Sequence, residues 1–329
     1  MEHGKQLAAA LLALLLVLAA GCGASGPDAS PDQPESSAVR EITDMAGRTV
    51  MVPAEAGMVF PADPAAAIYL YTLAPDKLLG WNYALNDIEK GIILEEYHDL
   101  PNFGMGDAVN YEAVIAAGPS LAVYMGTIGG ALASACDQLA GKLGIPVLAL
   151  DGDLMRAPAA YRFLGGLLDE AEKAEQLAAY AEKTFADIAA MDIPEEEKIR
   201  LYCGSGQDSL ETAPAGSSHG QLSDLVNAVN VAALELGEGT RVQISAEQLL
   251  AWDPDVIVTL GEANAGMSGS AAAMAILENP DYAALKAVRN GAVYGVPNAP
   301  FSWVDRPPAS NRLERCVGHT VDGAVPHGL

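Results

Sequence analysis

The chain has 329 residues, half of them hydrophobic and 19% charged, a composition that folds and a length that suggests two domains. Eighteen Lys and Arg stand against 43 Asp and Glu, a formal net charge of −25. That balance argues against a nucleic-acid binder, because phosphate contacts need a concentrated positive surface.

Leu7 to Ala20 is an almost unbroken Ala, Leu and Val run. It is too short for a helix to span a hydrocarbon core of about 30 Å, and it suits the apolar segment of a secretory signal peptide over residues 1–21. Ala19-Ala20-Gly21-Cys22 then resembles a lipoprotein cleavage box, with Leu18 one place further from the cysteine than in the commonest form. Cys22 is the expected lipidation site; the alternative is an ordinary signal peptide with an incidental cysteine. Residues 22–39 carry almost nothing large and apolar, so burial cannot offset their ordering entropy and they read as a flexible tether. A diacylated cysteine on such a leash holds a domain at a membrane surface without spanning it. Cys136, Cys203 and Cys316 are widely scattered, with neither zinc-type close pairs nor the density of a disulfide scaffold, and allow at most one disulfide.

Ile42 to Val52 reads as a hairpin turning at Ala46-Gly47. Strands follow at Met58–Phe60, Lys77–Trp81, Leu121–Tyr124 and Pro146–Leu150, and helices at Ala65–Leu73, Tyr111–Ala117 and Ala131–Leu143. This alternation implies a mostly parallel sheet covered on both faces, in a lobe spanning residues 40–155. From Pro158 to about Met191, Tyr161, Leu164, Leu168, Ala171, Ala174, Ala178, Ala181, Phe185 and Ile188 recur at spacings of three and four. That stripe predicts one connecting helix over residues 156–193, about 50 Å long if continuous, with Gly165-Gly166 as an early breaking point. Its alternative reading is an ordinary packing helix. A second α/β lobe is expected over residues 194–313. Its strands are Ile199–Cys203, Val256–Leu260 and Ala292–Val296, and its helices Gln221–Leu234, Ala246–Ala251, Ala271–Leu277 and Ala283–Ala287.

An internal repeat links the lobes. Glu112 lies seven residues before Pro119, which lies seven before Gly126; Glu247, Pro254 and Gly261 repeat that spacing. Both copies read as acidic helix start, apolar helix, Pro turn, apolar strand and Gly loop, a unit that also arises by chance in α/β proteins. The symmetric reading is two related lobes whose strand ends face each other across a cleft, where open α/β sheets collect ligands.

Thr43-Asp44-Met45-Ala46-Gly47-Arg48-Thr49-Val50 with Pro53 resembles the entry hairpin of substrate-binding proteins of ABC importers, of the iron-siderophore, haem and cobalamin type. The further matches, in order, are Ala74 to Asn82, Leu210-Glu211-Thr212, Pro254 to Val258 and Phe301 to Pro308, so the resemblance covers roughly residues 40 to 313. It implies two Rossmann-like βα lobes bridged by a single long helix, with the ligand cleft between them. It also implies a monomer that captures a siderophore-like iron complex or related metal-containing solute for a permease and its ATPase, with no chemistry on the solute, no cofactor and no resident metal. Molybdate- or tungstate-like oxyanion, cobalamin and haem are the alternative solutes. Glu112 and Glu247 match the family's acidic side chains that dock on the permease; each is also an ordinary helix-start acid favoured by the dipole.

The cleft is expected to be lined by Pro61, Asp63, Gly126 and Thr127 from the first lobe. From the second come Tyr202, Gly204, Gly206, Glu211, Ser217, Ser218 and His219, and then Trp303, Asp305 and Arg306. Gly129-Gly130, Gly204 and Gly206 let backbone N–H groups approach an anion. Ser217, Ser218 and His219 precede a helix start that favours negative charge. Arg306 is a bidentate donor for carboxylate, phosphate or oxyanion, with pairing to Asp305 as its other use.

The rival of a different class is a secreted hydrolase using Ser217 or Ser218 with His219, although neighbouring Ser and His on one turn rarely reach attack geometry and no nucleophile elbow is present. An adhesive surface lipoprotein is a third reading. Residues 314–329 are polar and broken by Gly318, Gly323, Pro326 and Gly328 where relatives continue into an apolar helix, and they read as a truncated or frame-shifted end.

Overall fold

The computed structural model describes residues 38–297 except 192, 218, 235–240 and 262–266. Strands β1 (Val39–Thr43) and β2 (Thr49–Pro53) form the expected antiparallel hairpin, with Val39 opposite Pro53 and Thr43 opposite Thr49. Asp44 organises its turn. One carboxylate oxygen accepts the N–H groups of Ala46 and Arg48 at 3.0 and 2.9 Å, while Gly47 takes the left-handed φ of 78°. The other oxygen accepts Ala149 N–H at 3.0 Å, and Arg48 donates to the Val147 carbonyl at 2.9 Å, so the hairpin is tied to the strand that contains both residues.

That strand is β5 (Val147–Asp151), the edge of a parallel sheet ordered β3-β4-β5 with β3 (Val59–Pro61) and β4 (Leu121–Gly126). Side chains alternate across the sheet, as strand geometry requires. Leu121, Val123, Met125, Leu148 and Leu150 pack with α1 (Pro64–Leu73), whereas Ala122, Val147 and Ala149 face the other core. Helix α2 (Asp87–Lys90) is a single turn, and α3 (Tyr111–Ala117) and α4 (Gly130–Leu143) supply Val114, Leu132 and Leu139 to that second core. Burial on both faces explains why these strands are continuously apolar. The strand expected at Lys77–Trp81 is instead a 3-10 turn at Pro75–Lys77, followed by single bridges pairing Leu78 with Val59 and Trp81 with Asn102. Pro75 starts the turn, and only the residues after it lie along β3.

The connector is not one helix. It divides into α5 (Ala157–Leu168) and α6 (Ala171–Ala189), the second about 28 Å long at 1.5 Å per residue. Asp169 makes the break in the left-handed conformation, φ 60°, and donates its N–H to the Gly165 carbonyl. The two helices pack against each other, so their apolar stripes meet and read in sequence as one. Arg162 on α5 spans two turns of α6, bonding Glu175 at 2.7 and 2.8 Å and Glu182 at 2.5 and 3.0 Å. Two cations from elsewhere close the α5 carboxyl end: Arg40 donates to Leu167 O at 2.8 Å and Lys77 to Leu168 O at 2.6 Å, where the helix dipole favours positive charge.

The second sheet is ordered β11-β10-β6-β7-β9. Its centre is parallel, formed by β6 (Arg200–Ser205), β10 (Val256–Thr259) and β11 (Val293–Gly295). Beyond β6 it turns antiparallel through β7 (Glu211–Thr212) and β9 (Val242–Gln243), so this half is a mixed sheet and not the simple βα alternation expected. Helix α7 covers only Gln221–Leu225 and not the expected run to Leu234, because Asn227 takes a positive φ of 56° and β8 (Val229–Asn230) then pairs parallel with β6. Helix α8 (Ala246–Trp252) is followed by β10, then α9 (Gly269–Glu278), a 3-10 turn at Pro280–Tyr282 and α10 (Lys286–Arg289), three residues later than expected. Tyr202, Leu249, Ile257, Ile276, Leu285 and Val293 make the core of this half. Leu154, Ala181, Phe185 and Leu222 form a smaller cluster joining α6 and α7. Cys136 and Cys203 are free thiols.

Candidate functional site

The repeated unit has the same build in both halves. Helix α3 is capped by Asn110, whose side chain accepts Ala113 N–H at 3.0 Å, and α8 by Ser245, which accepts Gln248 N–H at 3.2 Å. Each is seven residues long, each ends in a left-handed residue (Gly118 and Asp253), and each leads into a parallel strand, β4 or β10. Glu112 and Glu247 therefore occupy equivalent first-turn positions and both are exposed. The Glu247 carboxyl lies below its usual range because its own backbone N–H and the Ser245 side chain bond the ionised form.

At the carboxyl edge of the first sheet, Pro61 ends β3 and Asp63 caps α1. Asp63 accepts Ala65 and Ala66 N–H through one oxygen, at 2.9 and 3.0 Å, and Met125 N–H through the other at 2.7 Å. Its carboxylate thus clamps the β3 loop to β4. Gly126 ends β4, and Thr127 and Ile128 stand exposed after it. The loop following β5 adds residues that sequence reasoning missed: Met155, 53% exposed, and Arg156, whose guanidinium lies 3.5 Å from Asp151. The run Asp151-Gly152-Asp153 after a buried strand was the available signal for this loop.

The second half places its candidates less uniformly. Tyr202 is not at the edge; it is fully buried, packs on Trp252 and donates its hydroxyl to Ser209 O at 2.8 Å. Gly204 lies where a Cβ would sit 2.5 Å from the Ser209 carbonyl oxygen, so a glycine is needed for the chain to double back there. Gly206 begins that turn at φ 80°. Glu211 accepts from Ser205 Oγ at 3.3 Å and lies 3.6 Å from Arg241. Ser217 is buried, its Oγ accepting Gly220 N–H at 3.1 Å inside a tight turn, and is not presented as a nucleophile. His219 is half-buried beside it. The helix that follows has five residues, too short to lend the Ser217–His219 turn the dipole expected of a longer one. Ser218, Trp303, Asp305, Arg306 and Cys22 lie outside the described residues.

A hydrogen bond joins the two edges. Leu154 N–H, in the loop after β5, donates to Gln221 Oε1 at 2.5 Å, directly after the Ser217–Gly220 turn. Asp151 to Arg156 of the first half and Ser217 to Gln221 of the second are therefore neighbours, with the Leu154–Leu222 cluster beneath them. A groove of about 430 Å³ also opens at the first edge beside Asp63 and runs between the segment 105–111 and α4. Burial, with Asp63 nearby, raises the Tyr124 hydroxyl above its usual range, and Lys142 Nζ sits 5.0 Å from the centre of the Tyr111 ring. Among the described residues no group of three or more His, Cys, Asp or Glu is arranged to hold a metal, and no helix is long and apolar enough to cross a membrane.

The family described as "Periplasmic binding protein" matches residues 70–300. Among solved structures, the chain is similar to an ABC transporter solute binding protein from Sulfurospirillum deleyianum, at 25% identity over 83% of this chain and 85% of that one, with a TM-score of 0.74. It shares its fold with the molybdate-bound periplasmic protein MolA of Haemophilus influenzae, at 18% identity over 86% and 91% of the two chains, TM-score 0.67. It shares it also with a protein of an ABC-type Fe3+-hydroxamate transport system from Saccharomonospora viridis, at 20% identity over 87% and 99%, TM-score 0.59. Compared with curated proteins, the sequence matches none.

Proposed function

The chain belongs to the periplasmic binding protein family, whose members bind without catalysis, and from that premise we propose that it is the solute receptor of an ABC importer. The observation that carries this reading is the Leu154–Gln221 bond, which sets the carboxyl edge of one sheet against a turn of the other half. Residues 40–155 and 194–313 act as the two lobes, and α5 with α6 links them. The solute lies between the edges, against Pro61, Asp63, Gly126 and Thr127 on one side and Gly204, Gly206, Glu211 and His219 on the other. Trp303, Asp305 and Arg306 close the site. To these we add Arg156, an exposed donor at the first edge. Tyr202 and Ser217 support the site from behind, the first as core and the second as the pin of its turn.

A guanidinium and glycine-rich backbone favour an oxygen-rich, anionic solute, a chemistry shared by ferric siderophores and metal oxyanions. The reading adopted is the siderophore-like iron complex, with molybdate-type oxyanion as the alternative and haem or cobalamin behind both. Glu112 and Glu247 meet the permease, one from each half. Cys22 carries the lipid that holds the receptor at the outer face of the membrane, and residues 22–39 give it reach.

Elemental analysis of the protein purified from its native host, followed by Trp fluorescence titration with a ferric siderophore and with molybdate, tests the assignment. Co-purifying iron and a saturable shift without product formation are expected. Molybdenum in its place would move the assignment to the oxyanion, and turnover of the solute would sink the receptor reading altogether.

A further inference from the structure

The loop that follows β3 is tied down along its whole length. Pro61 and Pro64 fix the backbone at its two ends and bring no N–H of their own. Between them, the Ala62 N–H donates to Val123 O at 2.9 Å, and the Asp63 carboxylate accepts three further N–H groups. A last tie comes from a residue outside both the loop and the sheet: Asn82 Nδ2 donates to the Pro61 carbonyl at 3.0 Å. The peptide group joining Pro61 to Ala62 is thus held at its oxygen and at its hydrogen, which fixes its plane.

Asn82 is 2% exposed and stands on a rigid base. Trp81, the residue before it, donates its N–H to Pro101 O at 2.8 Å and accepts Phe103 N–H at 2.9 Å. Its indole Nε1–H donates to Tyr97 O at 2.9 Å. The Asn82 Oδ1, by contrast, is buried with no hydrogen-bond partner among the described residues. Turning the amide over would set Oδ1 against the Pro61 carbonyl, one acceptor facing another, so the orientation is fixed by the pair. An apolar side chain of the same size would fill the place without stranding that acceptor. The amide therefore sits there for one bond, and that bond ends on the loop at the carboxyl edge.

We propose that Asn82 is a positioning residue of the solute site. It fixes the Pro61–Ala62 peptide, so that the loop meets the solute already in its bound shape. This role rests on the receptor reading and adds no second site. A loop held in advance loses less freedom when the solute arrives, which tightens binding.

Variants of the full chain carrying Cys22→Ser test the proposal. Trp fluorescence titration with the ferric trihydroxamate ferrichrome and with molybdate reads affinity, thermal unfolding reads stability, and hydrogen exchange at Ala62 N–H, without solute, reads the loop. Asn82→Leu exchanges one stranded oxygen, Oδ1, for another, Pro61 O, so its melting midpoint should stay within about 2 °C of the parent. Its affinity should nevertheless fall about tenfold, and Ala62 N–H should exchange about tenfold faster. Asn82→Asp sets a carboxylate against the Pro61 carbonyl and should weaken binding further. Gly165→Ala, which meets Ala174 far from the loop, should lower the midpoint and leave affinity and Ala62 exchange within about twofold. Saturation of the parent by neither probe would overturn the receptor reading and this role with it. Equal affinity in Asn82→Leu and a binding-competent parent would overturn the role alone. Lost affinity with Ala62 exchange unchanged would make Asn82 a direct contact, and a midpoint lowered as much as in Gly165→Ala would make it ordinary core; both outcomes overturn the positioning role.

Discussion

Two adjacent glycines in α5 should respond to the same substitution with opposite signs. At Gly165 an added methyl would sit 2.3 Å from the Ala174 side chain on α6 and 3.2 Å from the Glu170 carbonyl. At Gly166, one residue on, nothing lies within 4 Å. Gly166→Ala therefore collects the helix-interior preference of Ala over Gly, about 0.5–1 kcal/mol. Gly165→Ala collects the same preference but must push the packed helices α5 and α6 apart, an overpacking cost of about 1–3 kcal/mol or more. With contact this close the upper end applies, and the net is a loss of about 2 kcal/mol. For a domain of this size each kcal/mol moves the melting midpoint by about 2–4 °C, so Gly166→Ala should raise it by about 2 °C and Gly165→Ala lower it by about 5 °C. Thermal unfolding followed by circular dichroism, with urea titration as a check on the sign, reads both. A shift of the two variants in the same direction would refute the close crossing of α5 and α6 and restore a single straight connector.

Charge reversal of Glu112 and Glu247 to Arg should leave solute affinity unchanged and abolish uptake by cells; weakened affinity in purified protein would instead place these residues in the binding surface. Arg156→Met should weaken capture of an anionic solute by about tenfold in a fluorescence titration, the value of one charge-assisted bond, while leaving the melting temperature in place. Gln221→Leu removes the acceptor of Leu154 N–H, and should cost about 1 kcal/mol in urea unfolding by leaving that donor without a partner. The Asp255 carboxyl is held below its usual range, first by Lys286 at 2.6 Å and then by Arg200 N–H at 2.9 Å. A depressed folded-state value contributes stability that is present above the unfolded value of about 3.9 and lost as pH falls through the folded one. Asp255→Asn should therefore flatten the acid limb of the stability profile below about pH 4; an unchanged limb would show that Lys286 does not engage the carboxylate in solution.

Much of the fold was legible because it rests on local chemistry. The hairpin turn follows from Asp44 and Gly47, and the repeated helix–strand unit from a capping side chain two residues before each glutamate and a left-handed residue after each helix. The connector was misread for a physical reason. Tyr161, Leu164, Ala174 and Ala178 enter one core, so the apolar stripe continues through the turn, and only Asp169 in its left-handed conformation marks the break. The second half hid its antiparallel edge because two-residue strands such as Glu211–Thr212 and Val242–Gln243 carry no periodicity to read. Alternation along β6 could not place Tyr202 inside, because it shares a face with exposed Arg200, and only its tertiary packing on Trp252 and its bond to Ser209 O bury it. The groove had no local signature at all, since segment 105–111 and α4 meet only in the tertiary structure.

Scarcity of positive charge makes the remaining cations informative. Arg48 is spent on the hairpin and β5, Arg40 and Lys77 on the end of α5, Arg162 on the α5–α6 crossing, and Lys286 on Asp255. Each holds together segments of the chain far apart in sequence or closes a helix end, so these cations work as fold-forming cross-links. Arg156 and Lys142 do not. Among the described residues, Arg156 has the loose 3.5 Å contact with Asp151 and Lys142 the face of a tyrosine. A protein so acidic repels anions at long range, but that repulsion is screened beyond about 8–10 Å at physiological salt, whereas a cation at the wall of a groove or strand edge acts at contact distance. Selectivity for an anionic solute at the carboxyl edge then rests on Arg156 against the general field, and exchanging it for a neutral residue should leave the fold intact while removing the attraction it provides.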